Sequence, residues 1–271
     1  MTTAPSSDVS TGVIVDAPAP GVCRVRLDRP EAMNSLTSRT KDALVGHLHH
    51  IAEAPSVRAV IVTGSGRAFC VGQDLKEHLG LLHDDPKKLW ATLEQHYNVL
   101  ATCLATMPKP VIAAVNGVAA GAGASLCFAA DFRLMADTSS FSLAFTGVGL
   151  SCDTGTSWTL PRLVGRARAL ELLMLPNTVR APQALELGLA TRVVGADELD
   201  NEALALATTL AAGPTVAFGA VKDALNFGAG HSLEESVVNE ARLMRLTGAS
   251  DDHQEAVSAF IAKTTPTFTG R

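Results

Sequence analysis

The sequence predicts an α/β fold, with a core built on a β-sheet and a helical segment after it. Short apolar runs alternate with stretches of helical spacing up to residue 196, which is the pattern of strands and helices that share one sheet. From Asp197 almost to Lys263 the spacing is helical, with interruptions at 213–214 and 228–231. A chain of 271 residues, 47% of them hydrophobic, can bury such a core without disulfide bonds.

The elements can be assigned in order from local patterns. Six short apolar runs are predicted as strands: 13–16, 23–27, 57–63, 111–115, 132–136 and 191–194. Helical spacing marks 37–54, 89–107, a short stretch ending near 129, 156–163, a stretch from 167, and 181–187. Thr37 is a predicted N-cap and Pro108 a predicted stop, since proline breaks the helical hydrogen-bond ladder. The polar, histidine-rich stretch 76–88 is predicted to be a mobile loop.

Charge and cysteine content exclude several functional classes. The net charge of −5 and the lack of a Lys/Arg cluster argue against nucleic acid or an acidic membrane as the partner. The uncharged stretch 111–130 is long enough to cross a bilayer, but it is rich in Ala and Gly, so its insertion energy would be marginal. Five cysteines without a C-x-x-C spacing, and no secretion signal, indicate a reducing, cytoplasmic location. Residues 1–11 are predicted to be a disordered tail.

A glycine-rich turn after the predicted strand 111–115 is a candidate for chemistry. Glycine permits positive φ and close backbone approach, and the N–H groups at a helix start are free to donate. The turn 116–123 therefore offers donors at the end of a buried strand, and the stretch 67–74 offers a second set. Two N–H groups that converge on one oxygen form an oxyanion hole. The alternative interpretation is that these glycines only allow a helix to pack tightly against a strand.

The stretch 149–155 contains one acid, Asp153, which can move a proton. Burial against Phe145, Leu150 and Trp158 would raise the pKa of this acid and make it a better base. The alternative role is structural, since Asp153 precedes a predicted helix and aspartate favours the N-cap position. A carboxylate beside an oxyanion hole indicates an enzyme that forms an enolate and protonates it.

Three motifs resemble the enoyl-CoA hydratase/isomerase (crotonase) family and occur in the family's order. They are RAFCVGQDL (67–75), PVIAAVNG (110–117) and LPRLVG (160–165), and the resemblance extends from Val13 to the C-terminus. It implies a spiral of β-β-α units for the core, 12–200, and a helical oligomerisation segment, 201–271. It also implies a homotrimer or homohexamer that acts on an acyl-CoA thioester. Coenzyme A is then part of the substrate, and no bound cofactor or metal is expected.

The resemblance also assigns roles to individual residues. By position, the backbone N–H groups of Gln73 and Ala122 would form the oxyanion hole. Ala122 stands where the family usually has glycine, and an alanine keeps the N–H provided that its φ is accessible. Six positions would contact the acyl-CoA: Ala32, Asp74, Leu75, Phe145, Lys263 and Phe268.

The carboxylates decide which reaction the resemblance implies. The hydratases of the family use two glutamates to hold one water, and those positions fall on Ser125 and Phe145. Asp153 stands where the isomerases place an acid, and a lone carboxylate suits a 1,3-proton shift. The expected function is therefore an enoyl-CoA isomerase that acts on a 3-enoyl-CoA or an epoxyphenylacetyl-CoA. The alternatives are a hydratase that adds water to 2-enoyl-CoA in fatty-acid β-oxidation, and a non-catalytic acyl-CoA-binding protein.

Overall fold

A computed structural model describes residues 11–271, so the predicted tail, 1–11, lies outside the described residues except for Thr11. The strands are β1 (Val13–Ala19), β2 (Val22–Leu27), β3 (Ala59–Gly64), β4 (Ala68–Cys70), β5 (Val111–Val115), β6 (Val118–Ala120), β7 (Phe132–Ala136), β8 (Ser140–Ser142), β9 (Val179–Arg180) and β10 (Arg192–Val194). The six predicted strands are confirmed as β1, β2, β3, β5, β7 and β10. The other four have only two or three residues, which is too short for a periodic sequence pattern.

These strands form two sheets. The larger sheet has the order β1-β2-β3-β5-β7-β10, in which β1 is antiparallel to β2 and all other neighbours are parallel. The smaller sheet has the order β4-β6-β8-β9, in which only β9 runs antiparallel to its neighbour. Both β3 and β5 are buried along their whole length. This explains why they read as continuous apolar runs rather than as alternating patterns.

The helices are α1 (Ser38–Glu53), α2 (Leu75–Asp84), α3 (Pro86–Thr92), α4 (Asn98–Thr106), α5 (Ala122–Ala129), α6 (Thr156–Met174), α7 (Ala181–Glu186), α8 (Leu199–Ala211), α9 (Thr215–Gly228), α10 (Leu233–Gly248) and α11 (Asp251–Ala262). The Thr37 hydroxyl accepts a hydrogen bond of 3.2 Å from the Thr40 N–H, which confirms the predicted N-cap of α1. A π-helical turn, Leu93–Tyr97, joins α3 to α4. Gly165 has φ 75° and kinks α6 at the point where two separate helices were predicted.

Three consecutive units repeat one path through the fold. Each unit adds a strand to the larger sheet, then a short strand to the smaller sheet, and then a helix: β3-β4-α2, β5-β6-α5 and β7-β8-α6. The chain therefore winds as a spiral of β-β-α units, as expected. The short strands of successive units pair in parallel, β4 with β6 and β6 with β8, so the connections from these strands to their helices lie side by side.

The prediction of a mobile loop at 76–88 was wrong, because these residues belong mostly to α2 and α3. Asp74 caps α2 by accepting from the N–H groups of Lys76 and Glu77 at 3.1 and 3.2 Å. The polar composition masked a helical signal that α2 carries in its leucines, at positions 75, 79 and 82.

The predicted boundary between 12–200 and 201–271 falls inside α8. This helix buries Leu199, Ala203, Ala207 and Ala211 against the larger sheet, at the four-residue spacing of one helix face. Physically, α8 thus belongs to the core, and the more exposed helical segment begins with α9. Among the described residues no single helix has the length and apolar character of a membrane span, and only α8 and α9 together, bent by 101° at their junction, pass that test.

Candidate functional site

A cavity of about 390 Å³ opens between α2, the start of α5 and the segment that follows β8. Gln73, Ala122 and Asp153 all line this cavity, although they come from three different units of the spiral. Stacking of the units explains the convergence, because each unit places the start of its helix beside that of the next. A larger cavity of about 720 Å³ lies between the core and the C-terminal helices, and none of these three residues lines it.

The Ala122 N–H, at the first residue of α5, has no hydrogen-bond acceptor in the part of the chain that the structure describes. Gly121 precedes it with φ 50° and ψ −124°, a conformation that a side chain would strain, whereas Ala122 itself does not have a positive φ. The first N–H groups of a helix have no acceptor within the helix, so that of Ala122 is left for a ligand in the cavity. Alanine at this position therefore keeps the donor without strain.

The glycines of this turn also serve packing, which was the alternative interpretation of the motif. A Cβ on Gly123 would lie 2.1 Å from the Cys70 carbonyl oxygen, which means that α5 rests directly on β4. Gly72 has φ +83°, and a Cβ there would come within 3.2 Å of the Ala122 nitrogen. The residue before Gln73 thus touches the amide of Ala122, and the two expected donors lie on adjoining backbone.

Gln73 is held on one side by a parallel β-bridge to Leu36. The Leu36 N–H donates to the Gly72 carbonyl at 2.8 Å, and the Asp74 N–H donates to the Leu36 carbonyl at 3.1 Å. In such a bridge the flanking peptide groups face the partner, so the N–H of Gln73 points the opposite way. It has no hydrogen-bond partner within residues 11–271, and the cavity lies on that side.

Asp153 is the only carboxylate among the described residues that line the cavity. Its Oδ1 accepts a hydrogen bond of 2.8 Å from the Thr154 hydroxyl. Burial raises the pKa of Asp153, and the hydrogen bond from Thr154 and the positive charge of Lys41 oppose that rise. The raised pKa agrees with the expectation from sequence and makes this carboxylate a stronger base.

The alternative interpretation of Asp153 as an N-cap does not hold. Gly155 is the N-cap of α6, and Asp153 contributes only its main-chain carbonyl, which accepts from the Thr156 N–H at 2.9 Å. Thr154 and Gly155 both have positive φ, 52° and 73°, so a left-handed turn separates Asp153, which lines the cavity, from the first residue of α6. The side chain is therefore available for proton transfer.

The surroundings of Asp153 match the prediction only in part. Phe145 and Leu150 line the same cavity, as expected. Trp158 does not, because it lies in the first turn of α6 and lines a separate cavity. Its ring faces the Arg162 guanidinium, whose central carbon lies 4.1 Å from the ring centre. Of the three expected apolar neighbours, Phe145 and Leu150 therefore share the cavity with the buried carboxylate, and Trp158 does not.

Neither of the positions that carry glutamates in hydratases holds an acid here. Ser125 is fully buried, and its hydroxyl bonds to the Gly121 carbonyl at 3.0 Å and to the Thr156 hydroxyl. It ties α5 to α6 instead of reaching a ligand. Phe145 presents an aromatic ring to the cavity.

The six residues expected to contact acyl-CoA do not all line this cavity. Leu75 and Phe145 line the cavity. Asp74 instead turns its carboxylate to the Ser35 hydroxyl, at 2.9 Å, and to the Arg29 guanidinium, at 3.1 Å. Asp74 is thus one of four that lie outside the cavity wall of the single chain. The other three are Ala32 in a 3-10 turn, Lys263 at the end of α11, and Phe268, whose carbonyl accepts from Arg58.

Sequence reasoning missed two residues beside the cavity, Lys41 and Tyr97. The Gln73 Oε1 accepts hydrogen bonds from the Lys41 Nζ at 2.9 Å and from the Tyr97 hydroxyl at 2.6 Å. Burial lowers the pKa of Lys41, and nearby carboxylates, Asp153 among them, oppose this. A signal for Lys41 was present, because it occupies the apolar stripe of α1 together with Leu44, Leu48 and Ile51. A charged residue on such a stripe needs a buried partner.

Comparison with known proteins gives consistent matches over nearly the whole chain. The sequence profile of the enoyl-CoA hydratase/isomerase family matches residues 18–271. The chain is 41% identical over 251 residues to the 1,2-epoxyphenylacetyl-CoA isomerase of Escherichia coli, covering 93% of this chain and 96% of that protein. It is also 41% identical to a "Probable enoyl-CoA hydratase" of Rhodobacter capsulatus, covering 93% and 95%. The crystal structure of an enoyl-CoA hydratase from Bacillus anthracis superposes with a TM-score of 0.90 at 32% identity, covering 96% of this chain and 100% of that one.

Proposed function

Because this chain belongs to the enoyl-CoA hydratase/isomerase family, we propose that it is an enoyl-CoA isomerase that shifts a double bond through a thioester enolate. One observation carries the proposal: of the described residues that line the cavity, only Asp153 is a carboxylate, and the free amides of Gln73 and Ala122 line the same cavity. Relatives with the same identity are named as an isomerase and as a hydratase, so their names leave the reaction open. The choice of reaction rests on the acids at the site.

The proposed reaction consists of two proton transfers. The thioester carbonyl oxygen of a 3-enoyl-CoA accepts hydrogen bonds from the N–H groups of Gln73 and Ala122, at the positive end of α5. The Asp153 carboxylate removes a proton from carbon 2, and the electrons of that C–H bond delocalise onto the oxygen as a dienolate. The protonated Asp153 then returns the proton to carbon 4, while the double bond forms between carbons 2 and 3. The steps balance with coenzyme A entering only as part of the substrate.

The substrate class follows from the cavity lining. Phe145, Leu150 and Trp90 give the space beside Asp153 an apolar, partly aromatic wall. An alkenyl chain or an epoxidised phenylacetyl group fits such a lining, and ring-opening of the second substrate uses the same stabilised enolate. This proposal agrees with the name of the Escherichia coli relative.

Hydration of 2-enoyl-CoA is the competing function, favoured by the names of other relatives. It requires a carboxylate to activate water and, in the family pattern described above, a second one to hold it. Ser125 is buried and bonded to Thr156, and Phe145 has no polar atom, so the chain lacks that pair. A hydratase with Asp153 as its sole acid is the form that this alternative must take.

A panel of 3-enoyl, 2-enoyl and arylacetyl CoA thioesters, incubated in heavy water, separates these functions. We expect conversion of the 3-enoyl-CoA into the 2-enoyl isomer without addition of water. Part of the hydrogen at carbon 4 should come from carbon 2 of the substrate, because one acid carries the proton between the two carbons. Formation of 3-hydroxyacyl-CoA from the 2-enoyl-CoA as the main reaction would instead support the hydratase, and lack of turnover of every thioester would refute both.

The pH dependence of isomerisation should report the raised pKa of Asp153. The active form is the carboxylate, so kcat/KM should be constant above that pKa and decrease as the pH falls through it. Because burial raises the pKa above its ordinary value of 3.8, the acid limb should lie at higher pH than for a solvated aspartate. The measurement is a pH profile of kcat/KM for a 3-enoyl-CoA, with Asp153→Asn as the control that should show no such limb. A profile that stays flat down to the pH of acid unfolding would contradict this assignment.

A further inference from the structure

Lys41 is a buried cation one residue away from the cavity wall. Its side chain comes from the middle of α1, and the residue is only 1% exposed, which is rare for a lysine unless its ammonium is paired. Nζ donates to the Gln73 Oε1 at 2.9 Å and to the Thr92 Oγ1 at 2.5 Å. It also lies 5.0 Å from the centre of the Tyr97 ring. Lys41 does not itself line the cavity, so it can orient groups in the cavity wall only through these partners. Its charge also acts at a distance, because it opposes the rise in the pKa of Asp153.

The Gln73 side-chain oxygen is fully used by two donors. It accepts from the Lys41 ammonium and, at 2.6 Å, from the Tyr97 hydroxyl. A carbonyl oxygen has two lone pairs, so this end of the side chain has a single well-determined position. The main chain of Gln73 is held independently by the bridge to Leu36. The residue is therefore fixed from two directions, and its N–H has no hydrogen-bond partner among the described residues.

The π-helical turn Leu93–Tyr97 brings the partners of Lys41 together. A π turn is wider than an α turn and joins residues five apart, and such turns are frequent at functional sites. Thr92 and Tyr97 have this separation, and both reach the Lys41–Gln73 pair. A regular α-helix would place residues five apart on different sides, so the local deviation serves this particular cluster.

From this geometry we propose that Lys41 is a positioning residue for the Gln73 amide of the oxyanion hole. The proposal rests on the isomerase function above. The bridge to Leu36 sets the direction of the Gln73 N–H, and the ammonium, with Tyr97, holds the side chain so that the residue cannot rotate away from that position. Misplacement of a catalytic group by about 1 Å can cost roughly 100-fold in rate, so a remote anchor of this kind can have a large kinetic effect.

The kinetic test uses Lys41→Met, Gln73→Leu and the double variant. Gln73→Leu keeps the backbone N–H and removes only the anchored oxygen. Each single variant should lower kcat for a 3-enoyl-CoA by about 10- to 100-fold while KM changes much less, because the dienolate depends on the amide more than the bound substrate does. The rates are compared at a pH above the acid limb of Asp153, where loss of the Lys41 charge does not change the ionisation of that acid. There the double variant should be no slower than the slower single one, since both remove the Lys41–Gln73 hydrogen bond. Additive losses would overturn the proposal.

The spectroscopic test uses butanoyl-CoA with a ¹³C label at the thioester carbonyl, a ligand without a double bond to shift. In the wild-type protein the bound carbonyl stretch should move to lower frequency than in free ligand, and in Lys41→Met it should return toward the free value. Lys109→Met is the matched control, because Lys109 is also buried and donates to the Ile51 and Ala54 carbonyls, outside this cavity. That variant should keep the wild-type frequency.

The outcomes separate the two proposals. An unchanged carbonyl frequency in folded Lys41→Met, with the normal shift in wild type, would overturn the role of Lys41 alone. A wild-type protein without any carbonyl shift would overturn the oxyanion hole and the role of Lys41 with it. If Lys41→Met does not fold, as judged by its thermal unfolding, Gln73→Leu decides, because it too should lose the shift and an unchanged frequency there would refute the proposal.

Discussion

Replacement of Asp153 by asparagine should lower kcat for a 3-enoyl-CoA by about 10²- to 10⁴-fold, the contribution that a positioned acid–base group typically makes. Asparagine has nearly the same shape, and its side-chain oxygen can still accept from the Thr154 hydroxyl, which bonds to Oδ1 in the wild type. What it cannot do is take and return a proton. Binding of acyl-CoA should persist, because the main-chain amides of Gln73 and Ala122 are unchanged.

The stability of this variant provides a second readout. Burial raises the pKa of Asp153, so at neutral pH the ionised carboxylate destabilises the fold, and that penalty disappears as the pH falls through the raised pKa. Asparagine removes the penalty, so the thermal midpoint at neutral pH should stay the same or rise. Asp16→Asn is a suitable control: Asp16 pairs with Arg24 on the first two strands, at 2.7 Å, and its loss should cost about 1 kcal/mol or less without affecting turnover. Turnover of Asp153→Asn within tenfold of the wild type would refute the proposed role.

Replacement of Gly123 by alanine should impair both the fold and the activity. A Cβ at this position would lie 2.1 Å from the Cys70 carbonyl oxygen and 2.9 Å from the Cys70 Cβ, and neither group can move without displacing β4. Forcing α5 away from β4 should lower the free energy of unfolding by about 1–3 kcal/mol, or more if the strand unravels. The same displacement would separate the amide of Ala122 from that of Gln73, because Ala122 is the first residue of α5 and Gln73 lies just after β4.

The expected loss of kcat in folded Gly123→Ala is about 100-fold or more, since a shift of about 1 Å at a catalytic donor is enough for that. Gly46→Ala is the matched control, because Gly46 is exposed in the middle of α1 and a Cβ there meets nothing within 4 Å. That change should stabilise the protein by about 0.5–1 kcal/mol through helix propensity and leave activity unchanged. Urea unfolding and steady-state kinetics of the two variants measure both effects. Wild-type kinetics in Gly123→Ala would show that the spacing of α5 and β4 does not control the donors.

The sequence by itself indicated the reaction proposed here as well as much of the secondary structure. The apolar runs at β3 and β5 and the Thr37 cap were readable because periodicity and capping act within a few residues. The reaction proposed here was readable too, since it depends on which residue types stand at 125, 145 and 153, and a missing carboxylate is visible in the sequence itself. Their positions relative to the family motifs indicated that these residues belong to one site, before any distance between them was known.

Tertiary structure alone decided how these parts act together. The short strands β4, β6, β8 and β9 are stabilised by pairing with one another, so no local sequence pattern could predict them. Whether Asp153 caps a helix or faces a cavity depends on the left-handed turn at Thr154 and Gly155. The anchoring of Gln73 by Lys41 joins two residues 32 positions apart in the chain. Such contacts depend on how stacked units are aligned, and that alignment is set by the packing of the whole core rather than by any one segment.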